Sequence, residues 1–574
     1  DFTIYDEDDS EKLLKECFAA LNIKDEKGLL KSARAAISHA KNFLEEPAND
    51  PIYNLYQSKL KSYQALDFDD LLFLTVKLFK EFPDQLEVYQ KRWTFLLIDE
   101  YQDTNTAQST LIRLLAHKHH NVFAVGDPDQ SIYSWRGADV SHILKFKDDY
   151  PGAQIVRLEQ NYRSRNIILK AANALIQHNT GRLEKNLWSA RGEGEKIGLY
   201  ICPHEHAETE FIIREIQKSP FPLSECVIFY RTHFQSRVFE DALLRHRIPY
   251  RIIGGLSFYQ RREVKDILSL LRIVLAGADF LSFARTVNIP KRGLGDGAVS
   301  KIQAFAEERL LPIFQAAEMI VDRKELKLSQ KQYEGLRDYV EMIRILRTIQ
   351  PLSTLLAEAI ERSRYLTYLK DDPETEQERK ENLQELIAKA VEWEQETETP
   401  TLAAFLEELT LKSAKETDTE ADAIRLMTFH NGKGLEFDLV FLVGMEEDLF
   451  PHVNCRDNPE SLEEERRLCY VGMTRAKESL YLTASRHRFL WGASRPMRPS
   501  RFLYEIPSEY LRTFDEGSGD ENVFSPGTAV VHKDFGPGIV QKSYQTSLGL
   551  TYDVFFPKAN ATRTLIAKYA KLSS

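Results

Sequence analysis

The chain has 574 residues, a formal net charge of −11, 43% hydrophobic residues and 28% charged residues. That length exceeds what one core organises, so several domains are expected, and the composition is that of an ordinary globular protein rather than a disordered or fibrous one. The acidic balance excludes a protein that coats nucleic acid by bulk electrostatics, but leaves room for a local groove built from aromatic stacking and a few Arg or Lys contacts.

Residues 1–64 are rich in Lys, Glu, Ala and Leu at helical spacing and read as a helical insertion. The run Leu66-Asp67-Phe68-Asp69-Asp70 starts a new helix, because Asp there can cap and favour the first turn. Strand signals at 95–98, 121–125 and 155–158 alternate with helices and define a parallel α/β domain over 65–163. A second α/β set (Ile197–Ile201, Val227–Tyr230, Tyr250–Ile253) occupies 164–264. From 265 to 422 the pattern is almost wholly helical, broken by Asn288–Gly295 and by two acidic stretches, Asp371–Glu378 and Lys415–Asp422, that read as loops. Strand signals resume at Ile424–Met427, Leu439–Val443 and Leu480–Thr483, so the simplest topology inserts the helical domain into an α/β domain completed by 423–515. Glu516–Glu521 opens a flexible acidic linker over 516–525. Residues 526–574 read as short strands (Ala529–His532, Gly538–Lys542, Thr551–Phe556) around the turn Phe535-Gly536-Pro537-Gly538, which predicts a small β-barrel module.

No stretch approaches eighteen uncharged apolar residues, so no membrane span is expected. The first residues carry neither a basic segment nor an apolar core and read as the interior of a domain, so an N-terminal truncation is expected. The five cysteines (Cys17, Cys202, Cys226, Cys455, Cys469) have no paired spacing and suit a reducing cytoplasm. Cys202, His204 and His206 raise the question of a metal, but no second Cys/His cluster follows and a strand end running into a polar loop accounts for them.

Chemistry concentrates at strand ends. The apolar run closing on Asp99 and Glu100 places two acids where open α/β sheets bind ligands. Adjacent acids there suit a Mg²⁺-nucleotide, Asp99 holding the metal and Glu100 acting on the attacking water. Gln130 ends the next strand, and its amide can bond both a γ-phosphate oxygen and that water. The phosphate-cradling loop that normally accompanies such acids, G-x-x-x-x-G-K-[ST], is missing from these residues. Gly432-Lys433-Gly434 does not replace it, since the spacing from any upstream Gly fails and no Ser or Thr follows Lys433. Tyr133, Trp135 and Arg136 come just after Gln130 and offer a stacking platform and a cation for single-stranded DNA, at about 1–3 kcal/mol per stacked base. Taken alone, Trp135 fits a core position equally well.

Five segments appear in order: LLIDEYQDTN (96–105), VGDPDQSIYSWRGA (125–138), LEQNYRS (158–164), MTFHNGKGLEF (427–437) and EEERRLCYVGMTRAK (463–477). In these the chain resembles the UvrD/PcrA/Rep-type superfamily 1 DNA helicases, PcrA-like members most of all. The resemblance implies two RecA-like parallel-sheet domains, the first N-terminally truncated, with helical insertions and a small C-terminal Tudor-like β-barrel. It implies an ATP- and Mg²⁺-dependent 3′–5′ DNA helicase and single-strand translocase in repair or replication. By the same resemblance Trp135 stacks on bases, Tyr162 stacks on adenine, Glu436 contacts the ribose, and Arg163 and Arg475 reach the γ-phosphate. Two guanidiniums there spread transition-state charge, for gains of order 10³–10⁵.

Thr428 and His430 read as DNA contacts rather than nucleotide contacts, and His452 is a further DNA candidate. Asn288–Gly297 resembles the family's contact with duplex backbone, and an ordinary helix-helix turn is its alternative. Implied partners are single-stranded and junction DNA, and RNA polymerase or repair proteins through the C-terminal module. In the family the phosphate loop precedes the point where this chain begins, so the polypeptide is expected to bind ATP poorly and hydrolyse it negligibly. The alternative function is a non-catalytic DNA-binding or RNA-polymerase-docking adaptor. A nuclease is disfavoured, because no further acid/Lys cluster is seen.

Overall fold

The computed structural model describes residues 2–23, 28–414, 422–490, 493–514, 527–532, 535–546, 549–557 and 561–566. The expected linker at 516–525, and the 415–421 part of the expected acidic loop, lie outside them.

Strand β1 (Thr3–Tyr5) pairs in parallel with β2 (Ala65–Asp67). Between them run the helices Glu7–Ala20, Leu29–Asn42 and Pro51–Ser62, whose apolar faces meet in a core that includes Leu13, Phe18, Ile37, Tyr53 and Leu60. Asp67 caps the helix Phe68–Glu81 in a reciprocal capping box with Asp70, which satisfies two backbone donors that the first turn would otherwise orphan. Lys41, fully buried, pairs with both Asp67 (2.5 Å) and Asp70 (2.9 Å).

Strands β3 (Leu96–Ile98) and β4 (Val122–Ala124) form a two-stranded parallel sheet. The third strand expected at 155–158 does not form: those residues run without a ladder partner, and Val156 and Leu158 are 76% and 79% exposed. Strand composition alone does not make a ladder: among the described residues β3 and β4 pair only with each other, and 155–158 joins neither free edge. Leu97 and Phe123, which a parallel sheet would cover on both faces, are likewise open.

The second sheet has eight strands: β5 (Ile197–His204), β6 (Cys226–Tyr230), β7 (Tyr250–Ile252), β8 (Ile424–Thr428), β9 (Phe437–Leu442), β10 (Ala476–Leu490), β11 (Ala493–Pro496) and β12 (Leu511–Phe514). Their order is β12-β5-β10-β9-β6-β8-β7, all parallel, with β11 antiparallel on the end of β10. β6 is buried at every position, the continuous apolar signature of a strand covered on both faces. Because β6 lies between β9 and β8, the segments before 253 and after 423 build one sheet, and the helices from Arg262–Leu275 to Leu402–Ala414 are inserted between β7 and β8.

The inserted helices enclose their own core around Phe283, Ile302, Phe314, Tyr339 and Leu356. The loop expected at Asp371–Glu378 is instead the start of the helix Pro373–Glu396. Pro at the first helical position is pre-set for a helix start, and glutamates in the opening turns favour the positive end of the helix dipole.

Strands β13 (Ala529–His532), β14 (Gly536–Thr546), β15 (Gly549–Phe556) and β16 (Ala561–Ile566) form an antiparallel meander over Val530, Val540, Tyr552, Val554 and Phe556. Among the described residues the expected small β module is a four-stranded antiparallel sheet. No helix among them is long and apolar enough to cross a membrane.

Candidate nucleotide cleft and nucleic-acid interface

Asp99 and Glu100 leave β3 directly and both are exposed. Glu100 adopts a left-handed backbone (φ +50°), uncommon for a residue with a side chain and typical of sites where geometry is imposed. Its N–H is held by Asp99 Oδ1 at 2.8 Å. Gln102 then bridges two strand ends. Its Nε2 donates to Glu100 Oε2 at 2.5 Å, and its Oε1 accepts from the Asp127 N–H at 2.8 Å. Gly126 permits that approach, because a Cβ there would lie 2.5 Å from Gln102 Oε1. Gln130 Nε2 donates to Asp127 Oδ2 at 2.8 Å. The turn is braced from the crossover between the lobes: Lys185 pairs with Asp127 and Asp129, and Arg182 with Asp129.

The second lobe supplies Arg475, just beyond the helix Pro459–Met473. Its Nη2 donates to Gln130 Oε1 at 3.5 Å, while Nε and Nη1 donate to the carbonyls of Val471 (3.0 Å) and Leu435 (3.3 Å). Arg475 is 2% exposed and forms no ion pair among the described residues. Burial, and then the charge of Arg163, pull its pKa down to about 10, which leaves it cationic at neutral pH. A buried cation of this kind favours an incoming anion. Arg163 Nε donates to Glu436 Oε2 at 2.5 Å and its Nη1 to Thr474 O at 3.4 Å. That bond from Arg163 holds the Glu436 carboxyl below its ordinary range. Tyr162 presents its ring to solvent, its hydroxyl donating to Gln160 Oε1 at 3.2 Å.

Lys433, set aside in the sequence as a failed phosphate loop, joins the lobes at this point. Its Nζ donates to Gln130 O at 2.9 Å, lies 3.4 Å from Glu100 Oε2, pairs with Asp103 and stands 5.3 Å over the Tyr133 ring. Burial keeps the Asp103 carboxyl above its usual range despite the lysine. The only signal for Lys433 in the sequence is a lysine between two glycines on a strand-end loop.

Two adjacent exposed carboxylates beside an amide suit a hard divalent cation carried in on phosphate, which needs one or two carboxylates and fills its remaining positions with phosphate oxygens and water. Among the described residues no cluster of three or more His, Cys, Asp or Glu side chains could hold a metal without that help.

Beyond Gln130 the loop turns outward. Trp135 is 65% exposed and so is not a core residue. The Arg136 guanidinium lies 4.6 Å from the Trp135 ring and 5.3 Å from the Tyr133 ring, and the Tyr133 hydroxyl donates to His430 O at 3.3 Å. Trp135, Arg136 and Gly137 form one wall of a groove, and His39, Phe43 and Phe68 belong to the other. Phe68 is exposed, and His39 stacks on Phe43 at 4.2 Å. Sequence reasoning read Phe68 only as a helix start, and its aromatic side chain at an exposed first-turn position was the available signal.

Thr428, His430 and His452 lie on the second lobe and do not line this groove. Thr428 is buried at the end of β8. Burial and the nearby Arg231 lower the His430 pKa to about 4. His452 is half-buried, its N–H donating to Glu465 Oε2 at 2.9 Å and its Nδ1 accepting from Asn454 N–H at 3.3 Å. Burial lowers its pKa too. In the insertion the Asn288–Gly295 turn is fixed by Asn288 Oδ1, which accepts from the N–H groups of Arg292 and Leu294, and by Arg292 Nε on Asp338 at 2.9 Å.

Comparison with known proteins gives two family matches: residues 1–151 fit the description "UvrD/REP helicase N-terminal domain" and residues 156–487 "UvrD-like helicase C-terminal domain". The chain is 39% identical over 621 aligned positions to the "ATP-dependent DNA helicase PcrA" of Staphylococcus epidermidis. It is 38% identical over 625 positions to the protein of that name from Staphylococcus aureus. In both cases the alignment covers all of this chain and 84% of the relative.

Proposed function

Since the chain belongs to the UvrD/REP helicase family of ATP-hydrolysing DNA helicases, which serve repair and replication, we propose that it travels 3′ to 5′ along single-stranded DNA by closing and opening the cleft between its two α/β lobes. The observation that supports this most directly is the approach of Arg475, from the second lobe, to the Gln130 amide at 3.5 Å, on the loop that goes on to present Trp135. Nucleotide state and base stacking then share one short segment. The polarity rests on the family resemblance.

In this reading ATP lies between the lobes, with Tyr162 against the adenine and Glu436 at the ribose. Arg163 and Arg475 take the γ-phosphate charge. Asp99 would hold Mg²⁺, which neutralises phosphate charge when bound. Glu100 takes the proton of the attacking water, and Gln130 orients that water. Closure excludes solvent and reopening releases the strand. Thr428, His430 and His452 contribute second-lobe contacts to DNA, and the Asn288–Gly297 turn meets duplex backbone at a junction. The C-terminal sheet, with Val531, Ile539 and Tyr544 exposed, is proposed as a docking element for RNA polymerase or repair proteins. The setting proposed is cytoplasmic.

The test is Trp135→Ala. In a form competent to bind ATP it is expected to cut DNA-stimulated hydrolysis far more than DNA-independent hydrolysis, and equal loss of both would sink the stacking role. We propose as well that a polypeptide of these 574 residues alone hydrolyses ATP negligibly, because the Lys and backbone nest of the phosphate loop are not among them. Activity within tenfold of an intact relative, abolished by Glu100→Gln, would refute that.

A further inference from the structure

We propose that Glu464, on the second lobe, is a positioning residue for the Trp135 loop of the first: it caps the turn that presents the indole, so that the stacking platform is fully built only when the lobes are together. This rests on the reading of Trp135 as a base-stacking residue.

The turn Ser134–Arg136 is a single short helical turn whose preceding residue, Tyr133, provides no side-chain cap. Its leading N–H would be an orphan donor. Instead the Ser134 N–H donates to Glu464 Oε1 at 3.1 Å, and the Ser134 hydroxyl donates to the other oxygen of the same carboxylate. A side-chain oxygen accepting from the first turn is what a local Asp or Ser does at an ordinary helix start. Here the cap comes from a residue 330 positions away in the chain.

Glu464 does not act alone on its helix. One turn further on, Arg467 Nε donates to Ser131 O at 2.7 Å, and just beyond the helix Arg475 reaches Gln130 Oε1. Positions 464, 467 and 475 thus meet 134, 131 and 130 in reverse order, and the stretch from 464 to the helix end spans about 14 Å at the usual rise. The helix is itself fixed by Arg466, which bonds Glu505 and Asn179. One helix therefore meets the indole-bearing turn from its middle and leads at its C-terminal end into the residue that meets the phosphate-sensing amide. When the lobes part, the turn loses its cap and the ring its fixed direction.

The experiment is equilibrium binding of the full chain to a fluorescent oligo-dT. Loss of a cap that also involves two hydrogen bonds predicts that Glu464→Ala weakens binding by about 3–10-fold. Ser134→Ala weakens it in the same direction by less. Glu464→Gln, which keeps an acceptor for the Ser134 N–H, restores most of the affinity lost in the alanine variant. In a Trp135→Ala background Glu464→Ala has no further effect, since contacts acting through one group are non-additive. Removing an acid near DNA could by itself only strengthen binding, and would do so in both backgrounds. The proposal is overturned if Glu464→Ala acts by the same factor with and without Trp135, if it leaves affinity unchanged, or if the glutamine variant falls as far as the alanine one. If Trp135→Ala alone leaves affinity unchanged, the stacking reading fails first and this inference falls with it.

Discussion

Replacing Lys41 with Met should expose how much of the first lobe rests on one buried cation. The Lys41 ammonium is wholly buried between Asp67 at 2.5 Å and Asp70 at 2.9 Å. Tyr56 Oη donates to Asp67 Oδ2 and Gln57 Nε2 to Asp70 Oδ1, each at 3.1 Å. Removing only the cation leaves two carboxylates facing each other out of water, and one-sided loss of a buried ion pair costs about 3–5 kcal/mol. The folded chain can escape by protonating Asp70, whose carboxyl is already raised by burial and by the Asp67 charge, against the pull of Lys41. That escape costs about 1.4 kcal/mol for each pH unit between the ordinary carboxyl value and the buffer, so roughly 5 kcal/mol at pH 7.5 and under 2 at pH 5. A carboxyl raised in the folded state binds more protons there than in the unfolded chain, so its contribution to stability falls as pH rises. The variant should therefore lose about 3–5 kcal/mol at pH 7.5 and no more than about 2 at pH 5. Urea titrations at both pH values, with hydrogen exchange followed on the helices Leu29–Asn42 and Phe68–Glu81, measure this. A loss under about 1 kcal/mol at pH 7.5, or equal losses at the two pH values, would refute the reasoning.

Gly126→Ala drives a Cβ to 2.5 Å from Gln102 Oε1 and 3.1 Å from the Tyr101 nitrogen; a loss of about 1–3 kcal/mol is expected, with faster amide exchange over Tyr101–Thr104, and an unchanged melting temperature contradicts it. Gly335→Ala puts a Cβ 2.0 Å from Arg292 O, so it should displace the Asn288–Gly295 turn and weaken binding to junction DNA relative to a single strand; an unchanged preference counts against the turn as a duplex contact. His430, with its pKa near 4, stays neutral between pH 6 and 8, so His430→Gln should leave the pH profile of single-strand binding in that range unaltered, and loss of a titration step near pH 6.5 in the variant would show the imidazole to be charged.

What the sequence made legible was whatever depended on neighbours along the chain. The acids at 67, 69 and 70 mark a helix start, and Asp67 does cap it, although the reciprocal bond from Asp70 shows only in the structure. The unbroken run Cys226–Tyr230 marks a strand covered on both faces wherever its partners come from. The acids and the amide at 99, 100 and 130 were legible because strand ends place such groups in a cleft. What escaped depended on partners hundreds of residues away. Ile155–Leu158 has the composition of a strand but makes no ladder with either free edge of the β3–β4 pair. Lys433 looks like a poor phosphate loop until Asp103, 330 residues upstream, is seen beside it. Glu464 is one of three consecutive glutamates in the sequence, and only the packing of its helix against Ser134 sets it apart.

The inter-lobe contacts are well made except at one point. Toward the DNA loop they are well made: Arg467 meets Ser131 O at 2.7 Å and Ser134 N meets Glu464 at 3.1 Å. Toward the nucleotide, Lys433 meets Gln130 O at 2.9 Å and pairs with Asp103, whereas Arg475 reaches Gln130 Oε1 only at 3.5 Å, its cation disfavoured by burial and by the Arg163 charge. A polyanion placed between Arg163 and Arg475 would relieve that repulsion and tighten that one long contact. The helix Pro459–Met473 carries Glu464 and Arg467 and leads directly into Arg475, so in the proposed mechanism closure of the cleft at Arg475 also sets how Glu464 and Arg467 meet the loop. Under the proposed mechanism, phosphate chemistry at Arg475 reaches the indole through this helix, without any residue having to touch both ligands.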